Sequence, residues 1–99
     1  MYGSPMIPVH RLLPDGLAAI LRKAPLSDEK VAFAWRSSVG PAIDRGTNVI
    51  LRDGVLEVTA REAAWGHEVE RSGALIRARL DSLLGQGVVR AITVVVVNS

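Results

Sequence analysis

Few side chains in this chain of 99 residues could carry chemistry. His10 and His67 are its only histidines, and neither stands at a metal-ligand spacing from another donor. There is no Cys, which removes a thiolate nucleophile, a thiolate metal site and any disulfide. Asp28 and Glu29 are adjacent carboxylates of the kind that can share a proton. They follow Ser27 at a helix start, however, where the macrodipole accounts for acidic residues without any catalytic role. Ser37 and Ser38 lack the Gly-x-Ser-x-Gly setting of an activated serine, and no glycine-rich phosphate loop of standard spacing occurs. No acid, base and nucleophile come together, so the expectation is a non-enzymatic protein that uses no cofactor and no metal.

What remains is recognition chemistry. Twelve Lys and Arg stand against ten Asp and Glu, for a formal net charge of +2, and ten of the twelve cations are Arg. Guanidinium is the better group for planar recognition of phosphate and carboxylate. Arg52, Arg61, Arg71, Arg77 and Arg79 are the candidate nucleic-acid contacts, and Glu57, Glu62, Glu68 and Glu70 are interleaved with them. A solvated, salt-bridged surface is therefore the competing reading of the same residues. The aromatic residues are Tyr2, Phe33, Trp35 and Trp65. Both tryptophans fall on apolar helical arcs and read as core anchors, together with Leu51, Leu56 and Val58. Phe33 lies off its arc beside Arg36, and these two are the candidate protein-partner contact.

The elements that must position these groups follow from periodicity. "LLPDGLAAILRKAP" predicts a helix with Leu13, Leu17, Ile20, Leu21 and Ala24 on one face, capped by Asp15 and stopped by Pro25. A second helix starts at Ser27, with Val31, Ala32, Trp35, Val39, Ala42 and Ile43 sharing an arc. Pro41 breaks it at Gly40 and opens a short further piece. In "TNVILRDGVLEVTA" the Asp53-Gly54 pair predicts a two-residue hairpin turn. The register then pairs Arg52 with Val55, Leu51 with Leu56, Ile50 with Glu57 and Val49 with Val58, which sorts Val49, Leu51, Leu56 and Val58 onto one apolar face. One long helix is expected from Glu62 to Leu84, with Gly73 allowing close approach to the sheet. A final strand, "VVRAITVVVV", is apolar on both faces, so a partner or another copy is expected to cover one of them.

The order is α-α-β-β-α-β, an α+β fold of two layers with a three-stranded mixed sheet and helices on one face. The last helix is a crossover, so the third strand should run parallel to the second; beside the first strand it would give the order 2-1-3. Residues 1–8 read as a loose lead-in and 9–99 as one domain. The start of the chain has neither the basic residues nor the apolar run of a signal peptide, and no apolar stretch approaches the ~20 residues of a membrane helix. A soluble protein of the cytoplasm is the expectation.

With these motifs in view a family resemblance becomes specific. "AWRSSVGPAI", then Thr47, "DGVLEV", "AAWGHEV" and "LLGQGVVRAI" resemble the DciA family in order and spacing, over roughly residues 30–92. The matching positions are Ala34, Trp35, Val39, Gly40, Thr47, Asp53, Gly54, Leu56, Val58, Trp65, Glu68, Val69, Leu84 and Gly85. The resemblance implies a KH-like domain of a bacterial, nucleoid-associated replication factor that binds the DnaB-type replicative helicase and assists its loading onto DNA. It also implies no catalysis. Such domains are described as lacking the Gly-x-x-Gly backbone clamp, and this chain lacks it too. Nucleic-acid binding would then be electrostatic, through Arg, and steeply salt-dependent. Family members commonly carry a basic or flexible extension beside the domain. Here Ser99 directly follows the last strand; if that is the native end, the expectation is a domain-only adaptor or relative without full helicase loading. Two further expectations stand beside this one, a stand-alone binder of single-stranded DNA or RNA and a homo-oligomer formed through the C-terminal strand.

Overall fold

The computed structural model describes residues 15–97, with side chains from Ala19 onward. The lead-in and Leu13 lie outside the described residues, as do the side chains of Asp15 and Leu17 and so the expected Asp15 cap.

Helix α1 (Asp15–Lys23) carries Arg22 and Lys23 in its last turn and stops ahead of Pro25. Helix α2 (Asp28–Val39) is capped as its sequence requires, with Ser27 accepting a hydrogen bond from the Lys30 backbone N–H at 3.1 Å. It ends at Gly40, whose φ of +86° and ψ of 168° lie in a region closed to other residues, and Pro41 opens the short helix α3 (Pro41–Arg45). The buried arc differs in detail from the expected one. Val31 and Trp35 are buried and Val39 and Ile43 half-buried, but Ala32, Ala42 and Ile20 are exposed. The small residues Ala34 and Ser38 are fully buried instead, because α2 must meet a further helix as well as the sheet.

Strands β1 (Thr47–Arg52) and β2 (Val55–Ala60) form the predicted hairpin in the predicted register. Asp53 and Gly54 both take positive φ, 51° and 81°, as the tight turn demands. Leu56, Val58 and Ala60 are fully buried beneath the helices, with Val49 and Leu51 packed half-buried beside them. Asn48, Ile50 and Arg52 alternate to the opposite, exposed face.

Two expectations change. The predicted long helix is two helices, α4 (Ala63–Arg71) and α5 (Gly73–Leu84), separated by Ser72 at ψ 13°. The reason is geometric. α4 packs on β2 and on the last strand, whereas α5 packs on α1 and α2. One straight rod could not serve both. Ser72-Gly73, a pair of weak helix formers, is where the axis changes. A side chain on Gly73 would meet nothing within 4 Å, so the close approach expected there occurs at Gly66 instead. A Cβ on Gly66 would stand 3.0 Å from Cγ2 of Val96 and 3.4 Å from Cγ1 of Val94.

The second change is strand order. Strand β3 (Ala91–Val96) is parallel to β2, as expected, but lies beside β2 and not beside β1, so the order is β1-β2-β3. A crossover returns its strand next to the one it left. The Arg90 N–H to Gly54 carbonyl bond at 2.6 Å and the Val97 N–H to Ala60 carbonyl bond at 2.8 Å extend that pairing at both ends. Of the Val run, Val94 packs on the core while Val95 and Val97 are exposed. The architecture is an α+β domain with a three-stranded mixed sheet and helices packed against it.

Candidate nucleic-acid and partner interface

The core anchors set the frame. Trp35 is 1% exposed, and its indole N–H donates to Thr47 Oγ1 at 2.9 Å. The Thr47 hydroxyl in turn donates to the Ile43 carbonyl at 2.7 Å. This relay joins α2, α3 and β1, and it fixes the outward face of α2 relative to the sheet. That outward face presents Phe33, 46% exposed, and Arg36 one turn later. Phe33 thus keeps nearly half of its surface open, and the pair is a partly exposed ring and an exposed cation one turn apart on α2.

Lys30 is buried and was not singled out by its sequence. Its Nζ donates to the carbonyls of Arg22 at 3.1 Å and Ala24 at 2.7 Å, closing the C-terminal end of α1 from the neighbouring helix. A cation at a helix C-terminus also suits the dipole there. Only the fold brings it there, since the partner carbonyls belong to another element.

The arginines separate by environment. Arg79 is half-buried and donates from Nη1 to the Ser38 carbonyl at 2.8 Å, so it ties α5 to the end of α2. Arg71 is exposed and pairs with Glu68 one turn back at 3.2 Å. Arg52 lies 4.0 Å from Glu57 on the open face of the sheet. Arg90, which the sequence reading did not select, folds over the hairpin turn and donates to the Asp53 carbonyl. Arg77 and Arg61 are exposed and stand in no ion pair among the described residues.

These last two border separate cavities. Arg77 lines an open groove of about 520 Å³ between α5 and the start of β3, with Gly73, Ala74, Ala78, Asp81 and Ile92. The small residues Gly73, Ala74 and Ala78 keep its floor accessible. Asp81 Oδ1 is buried without a hydrogen-bond partner among the described residues. Arg61 borders a smaller cavity of about 400 Å³ with Ala42, Arg45, Gly46, Glu62 and Trp65. Trp65 is half-buried, unlike the other tryptophan, and sits at the rim of this cavity. Among the described residues no group of three or more His, Asp and Glu is placed to hold a metal ion. No described helix is long and apolar enough to cross a membrane.

Comparison with known proteins gives one family. The model described as "Dna[CI] antecedent, DciA" matches residues 8–94. A curated relative, a UPF0232 protein of Mycolicibacterium smegmatis (strain ATCC 700084 / mc(2)155), is 33% identical over 73 residues. That alignment covers 73% of this chain and 38% of the relative, so the chain spans well under half of that protein's length.

Proposed function

The chain belongs to the DciA family, and from that premise we propose that it is a non-enzymatic replication adaptor, which docks on the DnaB-type replicative helicase and assists its loading onto DNA. The observation that carries this reading is the family match over residues 8–94, which takes in every motif from Trp35 to the last strand. Two surfaces support it. Phe33 and Arg36 form the protein-facing contact, an exposed ring and guanidinium held by a buried relay, the residue types favoured where partners meet. The groove along α5 forms the nucleic-acid contact, with Arg77 for phosphate. Arg71, Arg61 and Arg52 are exposed at other parts of the surface and add long-range attraction for phosphate. Arg79 contributes by holding α5 in place. The setting is the bacterial cytoplasm, at the nucleoid.

The test is capture of the same organism's DnaB-type helicase by the folded protein at low salt. Capture is expected, and F33A/R36A should abolish it while leaving the circular dichroism spectrum unchanged. Failure of the folded wild-type chain to bind helicase would overturn the reading.

A second reading draws on β3. It is an edge strand with Val95 56% and Val96 37% exposed, and such an edge can pair with a second copy. Sedimentation at high protein concentration should then show a dimer, and a monomer throughout would exclude it.

A further inference from the structure

The second cavity is built around an aromatic ring. The backbone N–H of Arg61 donates to the Gly46 carbonyl at 3.0 Å, which staples the segment leading into α4 onto the end of α3. That staple fixes Arg61, just ahead of α4, and Trp65, in its first turn, relative to Arg45 at the end of α3. The indole of Trp65 lies directly on Gly46. A Cβ there would stand 2.5 Å from both Cδ1 and Nε1 and 2.8 Å from Cε2. Gly46 has an ordinary φ of −91°, so it is close approach of the ring, and not backbone conformation, that requires a glycine. The five-membered part of the indole is thus packed against Gly46, while half-buried Trp65 also lines the cavity.

Around it stand two exposed guanidinium groups, Arg45 and Arg61, with no ion pair among the described residues. Glu62 is the one carboxylate lining the cavity, which leaves the rim with an excess of positive charge. None of this belongs to the α5 groove, whose lining residues are all different.

We propose that Trp65, Arg45 and Arg61 form a binding site for one nucleotide of a single-stranded nucleic acid, the base stacking on the indole and its flanking phosphates on the two guanidinium groups. A fixed π-face is a platform that any base can use, and Arg at its rim supplies the sequence-independent phosphate contact. Duplex is excluded because its bases are already stacked. A cavity of about 400 Å³ lies within the size range of small-ligand sites. The inference rests on the nucleic-acid part of the function proposed above and adds a second site to it.

The experiment uses the full chain and two labelled oligonucleotides of equal length, poly-dT and an abasic strand, at low salt. Binding is read by anisotropy and stacking by indole emission. Trp35 is 1% exposed and its emission should not respond, so quenching reports on Trp65. Poly-dT should bind and quench; the abasic strand should bind more weakly without quenching. W65A should raise the Kd about 5- to 150-fold, the worth of one stacked base. W65F, which keeps a ring and guards against a folding defect, should lose less. R45A/R61A, confined to exposed side chains, should reduce the slope of log K against log salt by about 1.4, two single-strand phosphate contacts. If the wild-type chain does not bind poly-dT at all, both this site and the wider nucleic-acid reading fall. If it binds with Trp65 emission unchanged, or if W65A and R45A/R61A bind like wild type, the wider reading stands and this site is overturned.

Discussion

The Thr47 hydroxyl is where the fold can be tested most sharply. It accepts the Trp35 indole N–H at 2.9 Å and donates to the Ile43 carbonyl at 2.7 Å, in a place where Thr47 is 4% exposed. Thr47→Val keeps the volume and β-branching but removes both bonds. The Ile43 carbonyl retains the Gly46 N–H at 3.0 Å, so it is not orphaned. The indole N–H has no other partner and no water at 1% exposure. Leaving a buried donor unsatisfied costs about 1–3 kcal/mol. For a domain of this size each kcal/mol moves Tm by about 4–8 °C. Thr47→Ser keeps both bonds and loses one methyl, about 0.8 kcal/mol by area burial. The decisive measurement is a double-mutant cycle in urea with W35F, which removes the N–H at the other end. The packing loss of W35F cancels in the cycle, and the two sites should couple by about 1–3 kcal/mol with m unchanged. Equal costs of Thr47→Val in the wild-type and W35F backgrounds would refute the relay, and so would a Thr47→Ser variant as unstable as Thr47→Val.

Further outcomes follow from the same geometry. A Cβ meets nothing within 4 Å at either Gly40 or Gly73, yet the two should respond oppositely to alanine. Gly40→Ala, at φ +86°, should lose about 1–3 kcal/mol, whereas Gly73→Ala, with φ outside the positive region, should gain about 0.5–1 kcal/mol by chemical denaturation. At Gly66, alanine should be neutral or stabilising by up to about 1 kcal/mol, because Val96 is 37% exposed on an edge strand and can yield. Gly66→Val should instead lose about 1–3 kcal/mol by forcing α4 off β3, seen as a lower urea midpoint. Lys30→Met keeps the stem but removes both bonds to the α1 carbonyls, and amide exchange should quicken in α1 ahead of the rest of the domain.

Much of this molecule is legible from its residues alone, and for local reasons. The Ser27 cap, the Gly40-Pro41 break and the Asp53-Gly54 turn are each decided by the conformations open to one or two residues. The hairpin register follows from the turn length and from a side-chain period of two, which leaves one way to bury Leu56 and Val58. The order of the motifs also pointed to the family. Groups that act between elements could not be read this way. The split at Ser72 arises because α4 and α5 have different neighbours, and the position of β3 depends on where its crossover ends. Arg77 and Arg79 are two residues apart and of one type, yet one lines a groove and the other holds the Ser38 carbonyl. Trp35 and Trp65 both occupy apolar arcs, but the first is sealed by Thr47 and the second rests on Gly46 at a cavity rim. Periodicity reports the face of a helix that turns inward. What that face meets is set by the packing of distant segments, and the roles of the arginines and tryptophans were decided there.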